Sequence, residues 1–130
     1  MLGKYTKKYA DVFYFVFRVI VGILFLMHGL QKLFGLSGGV GGGTVQLVSL
    51  FGFAGIIELI GGLLITIGLF ARWGALFGII DMIGAWIVVH IPQGWNPLLN
   101  GGELPFLFLA SFLVILAYGP GKWSLMKNPK

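Results

Sequence analysis

Cysteine is absent from the 130-residue chain, and histidine occurs only twice. Without thiols the sequence has no means of forming disulfides, iron–sulfur clusters or covalently attached haem. Any redox role must therefore use a borrowed electron carrier. Close-spaced metal motifs such as His-x-x-x-His are also missing, so we predict no metal site, although His28, His90 and Glu103 have suitable ligand chemistry.

Charged residues are scarce as well, at 10% of the chain, whereas 58% is hydrophobic and the mean hydropathy is +0.97. A water-soluble domain of this size cannot hide so much apolar surface in one core. The sequence therefore predicts a membrane protein whose main partner is the lipid bilayer. The net charge of +5 does not indicate nucleic-acid binding, because no basic–aromatic stripe on a polar face accompanies it.

Four apolar runs predict a single all-α domain, an antiparallel four-helix bundle in the membrane. The runs cover about residues 12–33, 45–70, 73–91 and 104–118, with a tight turn at Ala71 and Arg72. At ~1.5 Å per residue the first three can cross a ~30 Å hydrocarbon core, and the fourth is short. No small-residue cleavage site follows the first run, so we expect a retained span. Glycines at helix-contact spacing, such as Gly74 and Gly78, predict close packing.

Basic residues predict the orientation of the bundle. Seven of the nine lie outside the apolar runs, in segments that four spans would place on one face: Lys4, Lys7, Lys8, Arg72, Lys122, Lys127 and Lys130. The positive-inside rule therefore predicts that both termini are cytoplasmic.

Charged side chains within the runs are informative, because inserting each one costs about 2.5–3.5 kcal/mol. The predicted depths allow Arg18 to pair with Asp81 or with Glu58, and a buried Arg18–Asp81 ion pair would fix the helix register. Asp81 and His90 are nine residues apart, which places them ~180° apart on an ideal helix. They can face one cavity only if the helix bends or ends before His90, as Pro92 would allow.

A second set of polar residues lies toward the predicted outer ends of the spans, with Glu58 beneath it: His28, Lys32, His90 and Glu103. This set could supply the hydrogen-bond donors and the proton acceptor for a quinone head group. It could also hold a b-type haem between His28 and His90. A proton or ion path through Glu58 and Asp81 is a third interpretation, and histidines that simply hydrogen-bond headgroups and water are a fourth.

Several segments together suggest a family. They are Arg18, HGLQKLFG from His28, ELIGGLLITIGLFAR from Glu58, Met82 to His90, NPLLNGGELPFLF from Asn96, and GPGKWSL from Gly119. In these segments the chain resembles the DoxX family of small four-helix membrane proteins. The resemblance implies a multi-pass protein of a prokaryotic cytoplasmic membrane. It also implies a link to quinone-coupled oxidation of sulfur compounds such as thiosulfate, since the related DoxD protein is a subunit of a thiosulfate:quinone oxidoreductase.

By position, the resemblance makes five residues candidates for function: His28, Lys32, Glu58, His90 and Glu103. The leading hypothesis is a subunit of a quinone-linked membrane oxidoreductase, with His28 and Glu58 as its catalytic groups. Lys32 would attract a small sulfur anion, His28 and His90 would hydrogen-bond the head group, and Glu58 would move protons. We expect partner subunits or self-association. The alternatives are a non-enzymatic scaffold or assembly factor, and a small-anion transporter.

Overall fold

A computed structural model describes residues 1–126 of the chain. Lys127 and Lys130, which belong to the predicted C-terminal basic segment, lie outside the described residues. Within residues 1–126 the structure is helical, with no β-strand and a single isolated bridge between Val40 and Gly43. The prediction of an all-α protein is confirmed.

The longer helices are α2 (Ala10–Phe34), α3 (Leu50–Ile67), α4 (Ala71–Ala85) and α6 (Glu103–Tyr118). The shorter ones are α1 (Leu2–Lys8) and α5 (Pro97–Asn100). A π-helical turn (Trp86–His90) and a 3-10 turn (Ile91–Gln93) extend α4. Among the described residues, three helical stretches are long and apolar enough to cross a membrane, namely Ala10–Phe34, Leu50–Ile67 and Ala71–Gln93, whereas Glu103–Tyr118 is shorter.

Helix α3 is shorter at both ends than the predicted run 45–70. Its start is fixed by Ser49, whose side-chain oxygen accepts a hydrogen bond from the backbone N–H of Gly52 at 3.0 Å. Its end is fixed by Gly68, which adopts the left-handed conformation (φ 72°) that glycine tolerates best. The turn to α4 consequently begins at Gly68, and Ala71 is already helical.

The described parts of both chain termini lie at one end of the helices, which we call the termini end. There the backbone N–H groups of Leu125 and Met126 donate to the carbonyls of Ile67 and Gly68, both at 3.1 Å. The opposite end, which we call the loop end, holds residues 35–49 and 91–102. Helices α2 and α4 run from the termini end to the loop end, and α3 and α6 return.

Glycines bring α2 and α3 into backbone contact. A Cβ atom added at Gly22 would lie 2.6 Å from the backbone nitrogen of Thr66, and one added at Gly62 would lie 2.7 Å from Cα of Leu26. Neither approach leaves room for a methyl group. The prediction that the glycines serve close helix packing is confirmed for this pair of helices. Helix α3 also packs against α4, and α4 against α6.

Aromatic rings fill the centre of the molecule. Phe25 of α2 contacts Phe112 and Phe108 of α6, with ring centroids 4.7 and 5.5 Å apart. At 100° per residue, the sequence predicts one inward stripe on α2, formed by Arg18, Gly22, Phe25, Gly29 and Lys32. The first four are buried and Lys32 is half-buried. Large apolar side chains such as Phe13, Ile60 and Trp73 remain exposed. An apolar exterior around a small core suits lipid as the solvent.

Candidate functional site

A buried ion pair joins the loop-end half of α2 to the middle of α3. The Lys32 ammonium lies 2.8 Å from both carboxylate oxygens of Glu58. The Glu58 side chain is 5% exposed and that of Lys32 is 15% exposed. The pairing follows from the glycine contacts, because a Cβ atom on Gly29 would lie 2.8 Å from Cα of Leu59. Close backbones allow one lysine to reach the neighbouring helix.

Asp81 of α4 adds a second carboxyl group to this pair. Asp81 and Glu58 line the same cavity, and their carboxyl groups are close enough to interact. Asp81 is 9% exposed, and its Oδ2 atom is buried without a hydrogen-bond partner among the described residues. We call Lys32, Glu58 and Asp81 the charge cluster. It combines one ammonium with two carboxyl groups, so the lysine can neutralise only one of them.

The predicted Arg18–Asp81 ion pair is not formed, and Arg18 does not pair with Glu58 either. Arg18 lies at the termini end, where its guanidinium donates to the carbonyl oxygens of Pro120, Trp123 (2.9 Å) and Thr66 (3.4 Å). The C-terminal segment packs against α2 and supplies two of these acceptors, Pro120 and Trp123, an arrangement that the spans alone do not indicate. Within residues 1–126 the ion pairs are Lys32–Glu58 and the exposed Lys122–Asp11.

The charge cluster lies in a cavity of about 470 Å³ in the loop-end half of the molecule. The polar residues that line it are His28, Lys32, Glu58, Asp81 and His90. The structure thus brings together four of the five candidates named by the sequence and adds Asp81. Glu103, the fifth candidate, begins α6 with an exposed side chain and does not line the cavity. Within residues 1–126, no group of three His, Asp or Glu side chains is arranged to hold a metal ion.

A π-helical turn explains how Asp81 and His90 can both line this cavity. Their spacing would place them on opposite sides of an ideal α-helix, but residues Trp86–His90 form a π-helical turn. Its wider i→i+5 turn rotates the chain by a smaller angle per residue, which brings His90 back toward the side that carries Asp81. The predicted requirement for an irregularity before Pro92 is therefore met.

Asn100, which the sequence analysis did not single out, holds His90 in place. The backbone carbonyl of Asn100 lies 2.8 Å from Nδ1 of His90. A carbonyl only accepts hydrogen bonds, so Nδ1 carries a proton and, in a neutral ring, Nε2 is an acceptor. The buried Asn100 side chain also donates to the carbonyl of Gly94 and accepts from the N–H of Gly102, both at 2.8 Å. The sequence signal that could have identified Asn100 is its position directly before two glycines, Gly101 and Gly102, which is typical of a turn.

His28 lines the cavity from α2, one helical turn before Lys32. Its ring meets the edge of Phe108, with centroids 5.7 Å apart and planes at 83°. The half-buried imidazole thus has an apolar neighbour and a free face on the cavity.

The cavity opens sideways between α3 and α4. Six apolar residues both line it and are exposed, and all but the last belong to α3 and to the helix that begins with α4: Leu50, Phe51, Phe53, Ile80, Val88 and Leu104. Near the termini end the two helices touch, since a Cβ atom on Gly74 would lie 3.1 Å from the carbonyl oxygen of Gly61. At Gly84, further toward the loop end, an added Cβ atom would meet nothing within 4 Å. The mouth therefore lies on the apolar flank of the molecule.

Apolar helices of spanning length, with an ion pair buried between them, define a membrane protein. The DoxX family model matches residues 13–91, which include every polar residue of the cavity. The chain belongs to the DoxX family. It is 34% identical to an uncharacterized protein of Haemophilus influenzae, and the match covers 92% of each chain.

Two further relatives have more informative names. The protein named Putative oxidoreductase CatD of Bacillus subtilis is 32% identical, over 87% of this chain and 84% of its own. An uncharacterized membrane protein of Mycobacterium tuberculosis is 28% identical, over 83% of this chain and 76% of its own. No solved structure matches the chain.

Proposed function

We propose that this protein is a membrane subunit of an oxidoreductase and that its cavity binds the head group of a quinone. The observation that carries the proposal is a cavity of about 470 Å³ whose largely apolar lining includes five polar residues and whose mouth lies on the apolar flank of the molecule. Small-molecule sites typically measure about 300–1,000 Å³ and combine apolar walls with a few converging polar groups. The name of the Bacillus subtilis relative supports the oxidoreductase class.

The two histidines suit the two forms of a quinone. His28 can donate a hydrogen bond to a carbonyl oxygen of the oxidised form. His90, whose Nδ1 is engaged by Asn100, offers Nε2 as an acceptor for a hydroxyl of the reduced form. Glu58 is the buried carboxylate that can exchange protons with the head group.

A small sulfur anion such as thiosulfate is less well supported as the ligand of this cavity. Lys32 would have to attract it, yet both oxygens of Glu58 already face the Lys32 ammonium at 2.8 Å. An anion would also meet the second carboxyl group of the charge cluster. We therefore assign thiosulfate, if it is the reductant, to a partner protein.

Electrons must come from outside this chain, because it has no cysteine for redox chemistry. The proposed protein is accordingly a subunit that works with a partner or with further copies of itself. We further propose four spans with both termini in the cytoplasm of a prokaryotic cell. Basic side chains at the termini end support this orientation, among them Lys4, Arg72 and Lys122. The cavity then lies in the outer half of the cytoplasmic membrane.

The test is quinone binding by the purified protein. We expect quinone to copurify in extractable amounts, and a short-tailed quinone such as decylubiquinone to raise the melting temperature. The double variant His28→Ala, Glu58→Ala should lose this shift, whereas Lys122→Ala, at the other end of the molecule, should keep it. The proposal fails if the wild type neither binds quinone nor supports thiosulfate-dependent quinone reduction with candidate partner proteins.

A haem is a second candidate for the same cavity. His90 resembles an oriented haem ligand, because a backbone carbonyl fixes its Nδ1 proton and leaves Nε2 for iron. A Soret band in the purified protein that disappears in His28→Ala would support this assignment and oppose the quinone.

A scaffold or assembly factor is the alternative from a different class. It is favoured by Arg18, a buried charged residue that lies outside the cavity and donates its hydrogen bonds to backbone carbonyls. It predicts that Arg18→Leu and Glu58→Leu both reduce stability and partner recovery, while no quinone shifts the melting temperature. A small-anion transporter would instead show flux into proteoliposomes.

A further inference from the structure

Asp81 is the cavity residue that the proposed function leaves unused. It is 9% exposed, its Oδ2 atom lacks a hydrogen-bond partner among the described residues, and it shares the cavity with Glu58, whose carboxyl group is close enough to interact with it. A buried polar atom without a partner costs about 1–3 kcal/mol, so such atoms call for an explanation.

We propose that Glu58 and Asp81 together hold one proton, and that the O–H group of Asp81 is the hydrogen-bond donor for the ligand in the cavity. This inference rests on the proposed function for the identity of the ligand, a quinone carbonyl. The shared proton itself depends only on the residues of the chain.

The charge balance of the site requires a proton. From α2 the cavity is faced by Lys32 and His28, from α3 by Glu58, and from α4 by Asp81 and His90. The residues of α6 that line it are Leu104, Pro105 and Phe108, which are uncharged. One ammonium thus faces two carboxyl groups that line the same cavity and interact, and two adjacent carboxylates cannot both remain ionised at low cost.

The geometry assigns the proton to Asp81. Both oxygens of Glu58 lie 2.8 Å from the Lys32 ammonium, which is a pure donor and needs unprotonated oxygens as acceptors. Glu58 is therefore the carboxylate and Asp81 the acid. With the cavity empty, the Asp81 O–H can donate to Glu58. When a ligand carbonyl enters, the same O–H group can turn to it, with no covalent bond between heavy atoms formed or broken and no electron transferred.

The binding test compares Asp81→Asn with Asp81→Leu, using decylubiquinone as the probe. Asparagine keeps a hydrogen-bond donor and the shape of the neutral acid, whereas leucine fills a similar volume but has no donor. We expect wild-type affinity to fall as pH rises, because the proton is lost. Asp81→Asn should bind within threefold of the wild type with little dependence on pH. Asp81→Leu should bind about tenfold more weakly, the loss expected for one hydrogen bond.

A ligand-independent measurement separates this inference from the proposed function. The infrared spectrum of the ligand-free protein should contain a carboxylic acid C=O band that disappears in Asp81→Asn. The melting temperature of this variant will show whether it is folded. A band without any quinone binding upholds the shared proton and overturns the proposed function. Quinone binding without the band overturns the inference and leaves the function. A Na⁺-dependent rise in melting temperature without the band would also overturn the shared proton, because a cation would then take its place.

Discussion

Replacing Lys32 with methionine tests whether the charge cluster is a true buried ion pair. Methionine keeps most of the length and apolar surface of lysine but removes the ammonium that holds Glu58. The variant leaves two carboxyl groups buried with no positive partner in the described part of the chain. Lys122→Met is the matched control, because Lys122 also pairs with a carboxylate, Asp11, but at 3.7 Å and with both side chains more than 60% exposed.

The expected magnitudes differ because the two pairs differ in burial. At 2.8 Å and an effective dielectric constant of about 20, the attraction between Lys32 and Glu58 is about 6 kcal/mol before desolvation is subtracted. Removal of one partner from a buried pair typically lowers the free energy of unfolding by about 3–5 kcal/mol. Exposed pairs contribute about 0–1 kcal/mol. Lys32→Met should therefore be less stable than Lys122→Met by at least about 2 kcal/mol.

The assay is denaturant unfolding of both variants in the same detergent or bilayer, followed by tryptophan fluorescence or circular dichroism. Adding Glu58→Gln to Lys32→Met should restore part of the lost stability, because it removes the carboxylate left unpaired. Equal unfolding free energies for Lys32→Met and Lys122→Met would refute the reasoning. So would a further loss of stability in the double variant.

Three other predictions concern the framework around the cavity. Arg18→Leu should lower the free energy of unfolding by about 3 kcal/mol and expose the C-terminal segment to protease, since buried carbonyls lose a charged donor. Gly62→Ala should cost about 1–3 kcal/mol through its backbone clash, whereas Gly84→Ala, with open space around it, should not destabilise. Asn100→Ala should cost about 2 kcal/mol and increase hydrogen exchange in residues 94–102, whereas unchanged exchange there would contradict its bracing role.

The helices and their inward faces could be predicted from the sequence, because both depend on the local periodicity of apolar and small residues. The stripe that includes Arg18, Phe25 and Gly29 identifies the inward face of α2 without any knowledge of its neighbours. Glycines inside apolar runs likewise indicate close helix approach, and Gly22 and Gly62 lie where that rule expects them.

Pairings between helices could not be predicted, because they depend on rotation and register. Lys32 and Glu58 were both candidates, but the glycine contacts between α2 and α3 decide that they meet. Depth alone predicts an ion pair between Asp81 and Arg18, whereas in the structure Asp81 lies beside Glu58 in the cavity. Asn100 was missed because a buried asparagine in a connector has no periodic signal.

The contacts of Arg18 also have a consequence for the order of assembly. Its acceptors Pro120 and Trp123 lie 102 and 105 residues later in the chain. During synthesis the first span therefore emerges long before the groups that will satisfy its guanidinium. Until then the arginine needs water, lipid headgroups or an insertion factor as a substitute. We therefore expect α2 to reach its final position only after residues 120–123 have been synthesised and have packed against it.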